Sequence, residues 1–411
     1  MLSRGISGRT PRRLLFLYEI LALSLLFVYQ IDKLDKYILA TGMGLILLVY
    51  ISNYLLLKIS KGDNYIFLIA TMLMSVGIIM IYRISPVAGI RQLMWLSLGI
   101  FLFYLTYFIT KHFKSLDRLL YLYIGGAYFL FLITFLFGER TYGAINWIKV
   151  AGFSFQPAEM TKLILIFILA TYYSRYDKYK EVKYSSYILT IIVFSFIGLL
   201  FLQRDLGMAV IFFGIFIILQ FIFEEDRRLI YINLGLILVG GLIAYRLFSH
   251  VRIRVDIWID PWRFIDDKGY QITQSLFAIA EGGFFGKGLG LGHPQFIPLA
   301  YNDFIFAAIC EELGTFTGIG IIMLFLLLVY RGFKIGISQV NRFYKILALG
   351  ISSLFGIQSF IILGGVLKVI PLTGITLPFV AYGGTSIISS FMALGILQTA
   401  SEDMEWRMDH E

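Results

Sequence analysis

Along almost the whole chain, apolar residues run for about 20 positions at a time, and short polar clusters separate the runs. A helix of that length crosses the hydrocarbon core of a bilayer. The pattern predicts about twelve spans, over residues 14–31, 36–57, 64–83, 92–110, 118–137, 158–174, 184–202, 206–223, 229–248, 304–330, 344–367 and 378–399. The tenth and eleventh exceed a straight crossing, which predicts a tilt or a break. The fold class expected is therefore all-α, a polytopic transmembrane helical bundle. The longest stretch between spans is Ser249–Tyr301. In it Arg252, Arg254, Asp256 and Asp260 interleave with Val255, Ile257, Trp258 and Ile259, a pattern suited to lying along the membrane interface.

Composition supports this division. Of 411 residues, 59% are hydrophobic and only 15% are charged, and the mean hydropathy is +0.82; a soluble domain is about a quarter charged. The net charge of +9 is a topology signal. With alternating spans, Arg4, Arg9, Arg12, Arg13, Lys58, Lys61, Lys111, Lys114, Arg118, Arg175, Lys178, Lys180, Lys183, Arg227, Arg228, Arg331, Lys334, Arg342, Lys345 and Arg407 share one side. The positive-inside rule then places both termini in the cytoplasm. The basic excess meets anionic lipid heads and does not call for nucleic acid. The first span follows Arg12-Arg13 and lacks a small-residue cleavage site, so it reads as a retained anchor. A single cysteine, Cys310, forms no internal disulfide, and no Cys/His cluster has metal-ligand spacing.

The unusual polar residues gather on the predicted outer side. Pro157 suits the first position of a helix, and Glu159 lies in its first turn, where the dipole favours an anion. Glu159 and Lys162 are three apart and can pair. That pair reads as a helix cap or, because Lys162 lies a turn inside a membrane helix, as part of a functional site. Arg204 and Asp205 separate two spans with scarcely any loop. They form either a tight turn with snorkelling ends or, for Asp205, a group in a cavity shared with Lys162. The run holding Gly282, Gly283, Gly286, Gly288, Gly290 and Gly292 could bring backbone amides to a diphosphate or serve close helix packing. It lacks the Lys-Ser/Thr ending of a P-loop. Asp303, Glu311 and Glu312 bring three carboxylates to an apolar re-entry with no packing rationale, so they must pair, reach water or titrate. A carboxylate at such a low-dielectric margin is placed to act as a general base. The plainer alternative is a capping Asp followed by a solvated Glu pair.

In order, the stretches Trp147-Ile148, Phe155-Gln156-Pro157-Ala158-Glu159-Met160-Thr161-Lys162, Gln203-Arg204-Asp205-Leu206-Gly207, Gly269-Tyr270-Gln271 with Gln274-Ser275, Gly282-Gly283 with Gly286-Lys287-Gly288, Asp303-Phe304-Ile305-Phe306 with Glu311-Glu312-Leu313-Gly314, and Ile370-Pro371-Leu372-Thr373-Gly374 with Leu377-Pro378-Phe379 resemble the SEDS family. These are the shape, elongation, division and sporulation proteins that include RodA, FtsW and SpoVE. Each stretch is weak alone; the ordered set is specific.

The resemblance implies a helical bundle related to GT-C glycosyltransferases, with about ten common spans. Residues 1–60 would then be a cytoplasmic tail with two additional helices, and 61–411 the core, with an extracytoplasmic loop over 249–303. It implies a peptidoglycan glycosyltransferase that polymerises lipid II at the outer leaflet, and it favours the elongation-type branch. The implied partners are lipid II, membrane lipid and a single-pass class B penicillin-binding protein.

Carried over by position, the family's essential aspartate falls on Asp303, its implied role that of general base. Glu159 and Lys162 match a polar pair, Trp147 the loop tryptophan and Asp205 a further aspartate. The departing lipid diphosphate needs positive charge or donors, for which Lys162, Arg204 and Lys368 are candidates, with Gln271 and Gln274 as further substrate contacts. No cofactor is evident; a divalent cation could assist, although no metal site is legible. Ala158, Ala381, Arg204, Ile145-Asn146 and Ile362 depart from the family pattern, which puts the phosphate contacts in doubt and leaves the base intact.

Two other functions fit the same polar residues. A lipid II flippase would need them to continue to the inner side, and a scaffold of the elongation or division complex would need no chemistry.

Overall fold

The computed structural model describes residues 9–29, 36–113, 115–141, 144–150, 153–182 and 184–402; of the basic residues that carry the topology reading, Arg4, Lys114, Lys183 and Arg407 lie outside them. Among the described residues fifteen α-helices follow one another: α1 (Arg9–Tyr29), α2 (Lys36–Ile59), α3 (Asn64–Ile84), α4 (Pro86–His112), α5 (Leu120–Phe137), α6 (Pro157–Ser174), α7 (Tyr176–Lys180), α8 (Ser185–Leu202), α9 (Leu206–Phe223), α10 (Arg227–Leu247), α11 (Ser249–Ile259), α12 (Tyr270–Gly282), α13 (Ile305–Ser338), α14 (Arg342–Val366) and α15 (Gly384–Ala400). Each of the twelve expected spans falls on one of them. Nine of these helices are, among the described residues, long and apolar enough to cross a membrane. The chain is a multi-pass membrane protein.

Local signals explain the boundaries. Ser85 caps α4 ahead of Pro86, and Asp63, Asp205 and Asn341 accept first-turn amides of α3, α9 and α14. Helices α3 and α14 are buried along most of their length, and α15 packs between α4 and α14. By contrast α10 shows most of its apolar surface, burying only Leu229, Ile230, Asn233 and Ala244. A small antiparallel sheet interrupts the helical plan, with β1 (Glu139–Thr141), β2 (Ala144–Val150) and β3 (Phe153–Phe155) in the order β1-β2-β3.

One span begins later than expected, and the tenth shows the break that its length predicts. The last helix starts at Gly384, because residues 367–383 form an irregular segment against the bundle. The tenth is two helices joined at Gly314, whose φ of 83° and ψ of 162° are not helical. Lipid offers nothing to the backbone groups freed at such a break. The glycine run supplies the partners. Lys287 and Gly288 donate their amides to the carbonyls of Glu311 and Glu312 (2.9 Å each), while the Thr315 and Phe316 amides donate to the carbonyls of Gly283 and Phe284 (2.9 and 3.1 Å). A Cβ on Gly286 would lie 2.3 Å from the Glu312 carbonyl oxygen. The run therefore serves close packing, and it does not line the cavity described below.

Glu311 and Glu312 have a structural use as well, contrary to the sequence expectation. Glu312 accepts from the Gly290 amide (2.8 Å) and pairs with Arg83 (3.3 Å), and Glu311 accepts from the His293 amide (2.7 Å). Arg83 also donates to the Gly290 carbonyl at 2.7 Å. The two carboxylates pin the glycine loop to the first half of α13.

The opposite end of the bundle is basic and is tied by ion pairs such as Arg331–Asp63 and Arg175–Asp117 (2.6 Å each). There Glu402 accepts from Ser60 Oγ (2.8 Å), the Lys61 amide (3.2 Å) and Tyr107 Oη (2.5 Å), and it pairs with Lys111 (2.8 Å). The Asp63 amide donates to Ser401 Oγ at 2.9 Å.

Replacing Gly314 by Ala places a Cβ 2.3 Å from the Phe284 carbonyl oxygen, in a backbone region closed to L-residues. We expect a loss of about 2 kcal/mol or more, read as a lower thermal midpoint in detergent. A midpoint equal to the parent's would show that the break does not depend on glycine.

Candidate functional site

A cavity of about 1470 Å³ opens at the end away from the basic face, between the starts of α4, α9 and α13, the sheet, α11 and segment 367–383. Its wall includes Trp147, Arg204, Asp205, Gln271 and Asp303, five of the residues singled out from sequence. It also holds Arg91, Arg254, Lys268 and His250, so cations outnumber carboxylates. Met94, Trp95, Leu98, Leu206 and Val210 form an apolar flank below the polar mouth. Among these, Met94, Leu98 and Val210 are exposed.

Asp303 lies in the turn just ahead of α13, at the margin of the cavity. Among the described residues it has no ion-pair partner within reach. The carboxyl is partly open to the cavity but crowded by protein on its other sides. That desolvation pushes its pKa up to about 6, and the nearby Arg254 guanidinium opposes the shift. A Cβ built on Gly374 would stand 3.1 Å from Arg254 Nη2 and 3.8 Å from Asp303 Oδ2, so both groups converge on this glycine without touching. Arg254 Nη1 donates to the Thr373 carbonyl at 2.6 Å, while Trp258 Nε1 donates to the Lys368 carbonyl at 3.2 Å. These bonds fasten α11 across the cavity.

Asp205 is buried at the first turn of α9. It accepts from Asn146 Nδ2 and Gln156 Nε2 (2.9 Å each) and from the Met208 amide (3.1 Å). Burial raises its pKa, against the pull of those donors. Asp205 thus ties the sheet to α9 and presents one face to the cavity. Arg204, beside it, has a φ of 61° and lies over the Phe248 ring, 5.6 Å from its centroid.

Glu159 and Lys162 take a different place. They pair at 2.5 Å with Lys162 fully buried, and neither lines the cavity. Lys162 Nζ also donates to Gln358 Oε1 (3.1 Å), and Ser389 Oγ donates to Glu159 Oε2 (2.6 Å). Gln358 Nε2 in turn donates to the carbonyl of Thr376, a cavity residue, at 2.9 Å. The pair joins α6, α14 and α15 beneath the cavity floor. Gln274 and Lys368 lie outside the cavity wall, and Lys368 Nζ reaches the Ile259 carbonyl at 3.5 Å.

Arg254 and Arg91 are functional candidates missing from the sequence reading. Arg254 was visible only as one charge in an interfacial stretch; its proximity to Asp303 depends on Gly374, 120 positions along the chain. Among the described residues, no group of three or more His, Cys, Asp or Glu side chains is placed to hold a metal ion.

The cavity thus joins a cation-rich mouth, an unpaired carboxylate and an apolar flank within a membrane bundle. Comparison with known proteins gives the family. The FtsW/RodA/SpoVE model, described as "Cell cycle protein", matches residues 63–405, and the chain belongs to this family. Peptidoglycan glycosyltransferase RodA of Mycobacterium tuberculosis (strain ATCC 25618 / H37Rv) is 35% identical over 366 residues, 82% of this chain and 78% of the relative. Stage V sporulation protein E of Bacillus subtilis (strain 168) is 33% identical over 84% of this chain and 98% of the relative. Among solved structures, a chain from "Structural coordination of polymerization and crosslinking by a peptidoglycan synthase complex" has TM-score 0.70 at 27% identity, covering 82% of this chain and 97% of that one. Rod shape determining protein RodA of Thermus thermophilus shares the fold, with TM-score 0.64 at 24% identity over 84% of this chain and 98% of that one.

The buried pair makes a stability prediction. Lys162→Met takes the cation from the buried Glu159 and leaves it only the Ser389 hydroxyl, and we expect it to destabilise the protein by about 3–5 kcal/mol. Adding Glu159→Gln should recover much of that loss in thermal unfolding. Equal damage from the single and double variants would show that the two residues do not act as a pair.

Proposed function

We propose that the chain is a peptidoglycan glycosyltransferase that polymerises lipid II, with Asp303 as general base. The observation that carries this is the placement of Asp303: unpaired, half-buried, and held beside Arg254 at the edge of a cationic cavity. The activity is the one named for the relatives that match most of the chain. The basic end faces the cytoplasm by the positive-inside rule, which sets the cavity at the outer leaflet.

The reaction joins two glycosyl lipids, and the cavity exceeds the roughly 300–1,000 Å³ typical of a single small-ligand pocket. The Asp303 carboxylate takes the proton of an acceptor sugar hydroxyl. That oxygen bonds to the anomeric carbon of the donor, and the anomeric carbon–oxygen bond to phosphate breaks. The electron pair leaves with the lipid diphosphate. Arg254, Arg204, Arg91 and Lys268 line the same cavity and supply the positive charge that favours its departure. Trp147 and Gln271 shape the wall, Asp205 fixes the sheet against α9, and Glu159 with Lys162 braces the floor. The apolar flank formed by Met94, Leu98 and Val210 suits the lipid chains.

A flippase requires a polar path continuing to the basic end. The intramembrane pair nearest the cavity, Glu159–Lys162, is instead closed on itself and on Gln358 and Ser389. A class B penicillin-binding protein is the partner that would cross-link the product. Its support is the solved synthase complex that this fold resembles.

Reconstituted protein with labelled lipid II tests the assignment. Asp303→Asn is expected to lower polymerisation by roughly 10²–10⁴-fold. For the parent, the rate should rise as pH increases through about 6, because the base works ionised, and then level off. Arg254 favours the ionised form, so Arg254→Gln should move this limb to higher pH. Polymer formed at the parental rate by Asp303→Asn would sink the base assignment.

A further inference from the structure

Three residues of the cavity wall carry a buried polar atom with no hydrogen-bond partner among the described residues: Asn146 Oδ1, Asn302 Oδ1 and Thr373 Oγ1. Buried polar atoms are nearly always paired, so atoms without a protein partner in a binding cavity point to its ligand. Asn146 belongs to the Asp205 network through its Nδ2. The other two flank Asp303. Asn302 precedes it in the chain, and Thr373 precedes Gly374, the residue on which Asp303 and Arg254 converge.

Both positions are held still. The turn carrying Asn302 is closed by its own amide, which donates to the Leu299 carbonyl at 2.9 Å, and the Tyr382 amide donates to the neighbouring Tyr301 carbonyl at 2.9 Å. The Thr373 carbonyl is occupied by Arg254 at 2.6 Å, and its hydroxyl has no protein partner among the described residues. The pair offers an acceptor, the side-chain oxygen Oδ1 of Asn302, and a hydroxyl that can donate.

We propose that Asn302 and Thr373 form a subsite for the acetamido group of the acceptor sugar, which sets the attacking hydroxyl on Asp303. The proposal rests on the glycosyltransferase reading above. The sugars of peptidoglycan are N-acetylated hexosamines, and an acetamido group carries one N–H donor and one carbonyl acceptor on separate atoms. Asn302 Oδ1 accepts the N–H, and Thr373 Oγ1 donates to the carbonyl. A plain hydroxyl at the same ring carbon lacks the reach to meet both groups, so one of them stays buried and unpaired, which is costly. The subsite selects acetylated acceptors and orients them with the same two bonds.

The test is equilibrium binding in detergent, in an Asp303→Asn background so that no turnover occurs. Its two ligands are lipid II and an analogue whose outer sugar is glucose in place of N-acetylglucosamine. The background protein is expected to bind lipid II about 10-fold more tightly than the analogue. Adding Asn302→Ala or Thr373→Val should remove that preference by weakening lipid II alone, and Thr373→Ser should keep it. Unchanged affinity for the analogue shows that each variant is folded; if Asn302→Ala binds neither ligand, the comparison of Thr373→Val with Thr373→Ser decides. Equal binding of both ligands by the background protein, or a preference that survives Thr373→Val, would overturn the proposal. Polymerisation by the parent protein is measured separately. Discrimination without polymer would refute the glycosyltransferase reading and leave the subsite standing.

Discussion

A helix can be broken inside a membrane only where protein meets the amides and carbonyls that the break releases. Here that constraint acts at Gly314, and much of the site follows from it. The loop from Gly283 to Gly288 must lie against the break to bond its backbone. The loop stays there because, just beyond it, Glu312 and Glu311 hold the Gly290 and His293 amides and Arg83 holds the Gly290 carbonyl. The first half of α13 is thereby fixed as a short helix apart from the longer one, and the turn before it carries Asp303 to the rim of the cavity. Asp303 is positioned by a backbone defect and its repair, in the manner of the discontinuous helices of membrane transport proteins.

The second support lies below. A buried ion pair seldom stabilises a fold compared with apolar residues of the same size, and Lys162 sits where a leucine would pack. What the pair adds is connection: α6, α14 and α15 meet at Glu159 and Lys162, and Gln358 passes that contact on to Thr376 in the cavity wall. Charge in the cavity itself behaves differently. Arg254 is anchored by a single carbonyl and leaves the rest of its guanidinium near Asp303 in the cavity wall.

The spans were legible in the sequence because a bilayer imposes one length and one polarity on every helix, and α3, α9 and α14 lie close to where the apolar runs place them. Asp303 was legible for a related reason: a carboxylate in an apolar re-entry has few innocent explanations. The pairing of Glu159 with Lys162 followed from helical spacing, but its closure by Gln358 and Ser389 did not, since those partners lie about 200 positions away. Glu311 and Glu312 looked like chemistry because sequence shows charge and hides the loop amides that absorb it. Arg254 stayed hidden for the opposite reason, its closeness to Asp303 arising through a third segment.

The stitching of Glu402 to Ser60 and Lys61, and of Ser401 to Asp63, brings the two ends of the family-matched region within hydrogen-bond reach. That core is in this sense a closed circuit of helices whose starting point is arbitrary. Residues 63 and 402 could be joined by a short linker and the chain reopened in another loop at the basic end, with every helix keeping its neighbours. Helices α1 and α2 are attached to that circuit at its seam, where material can be added without parting any of its internal contacts.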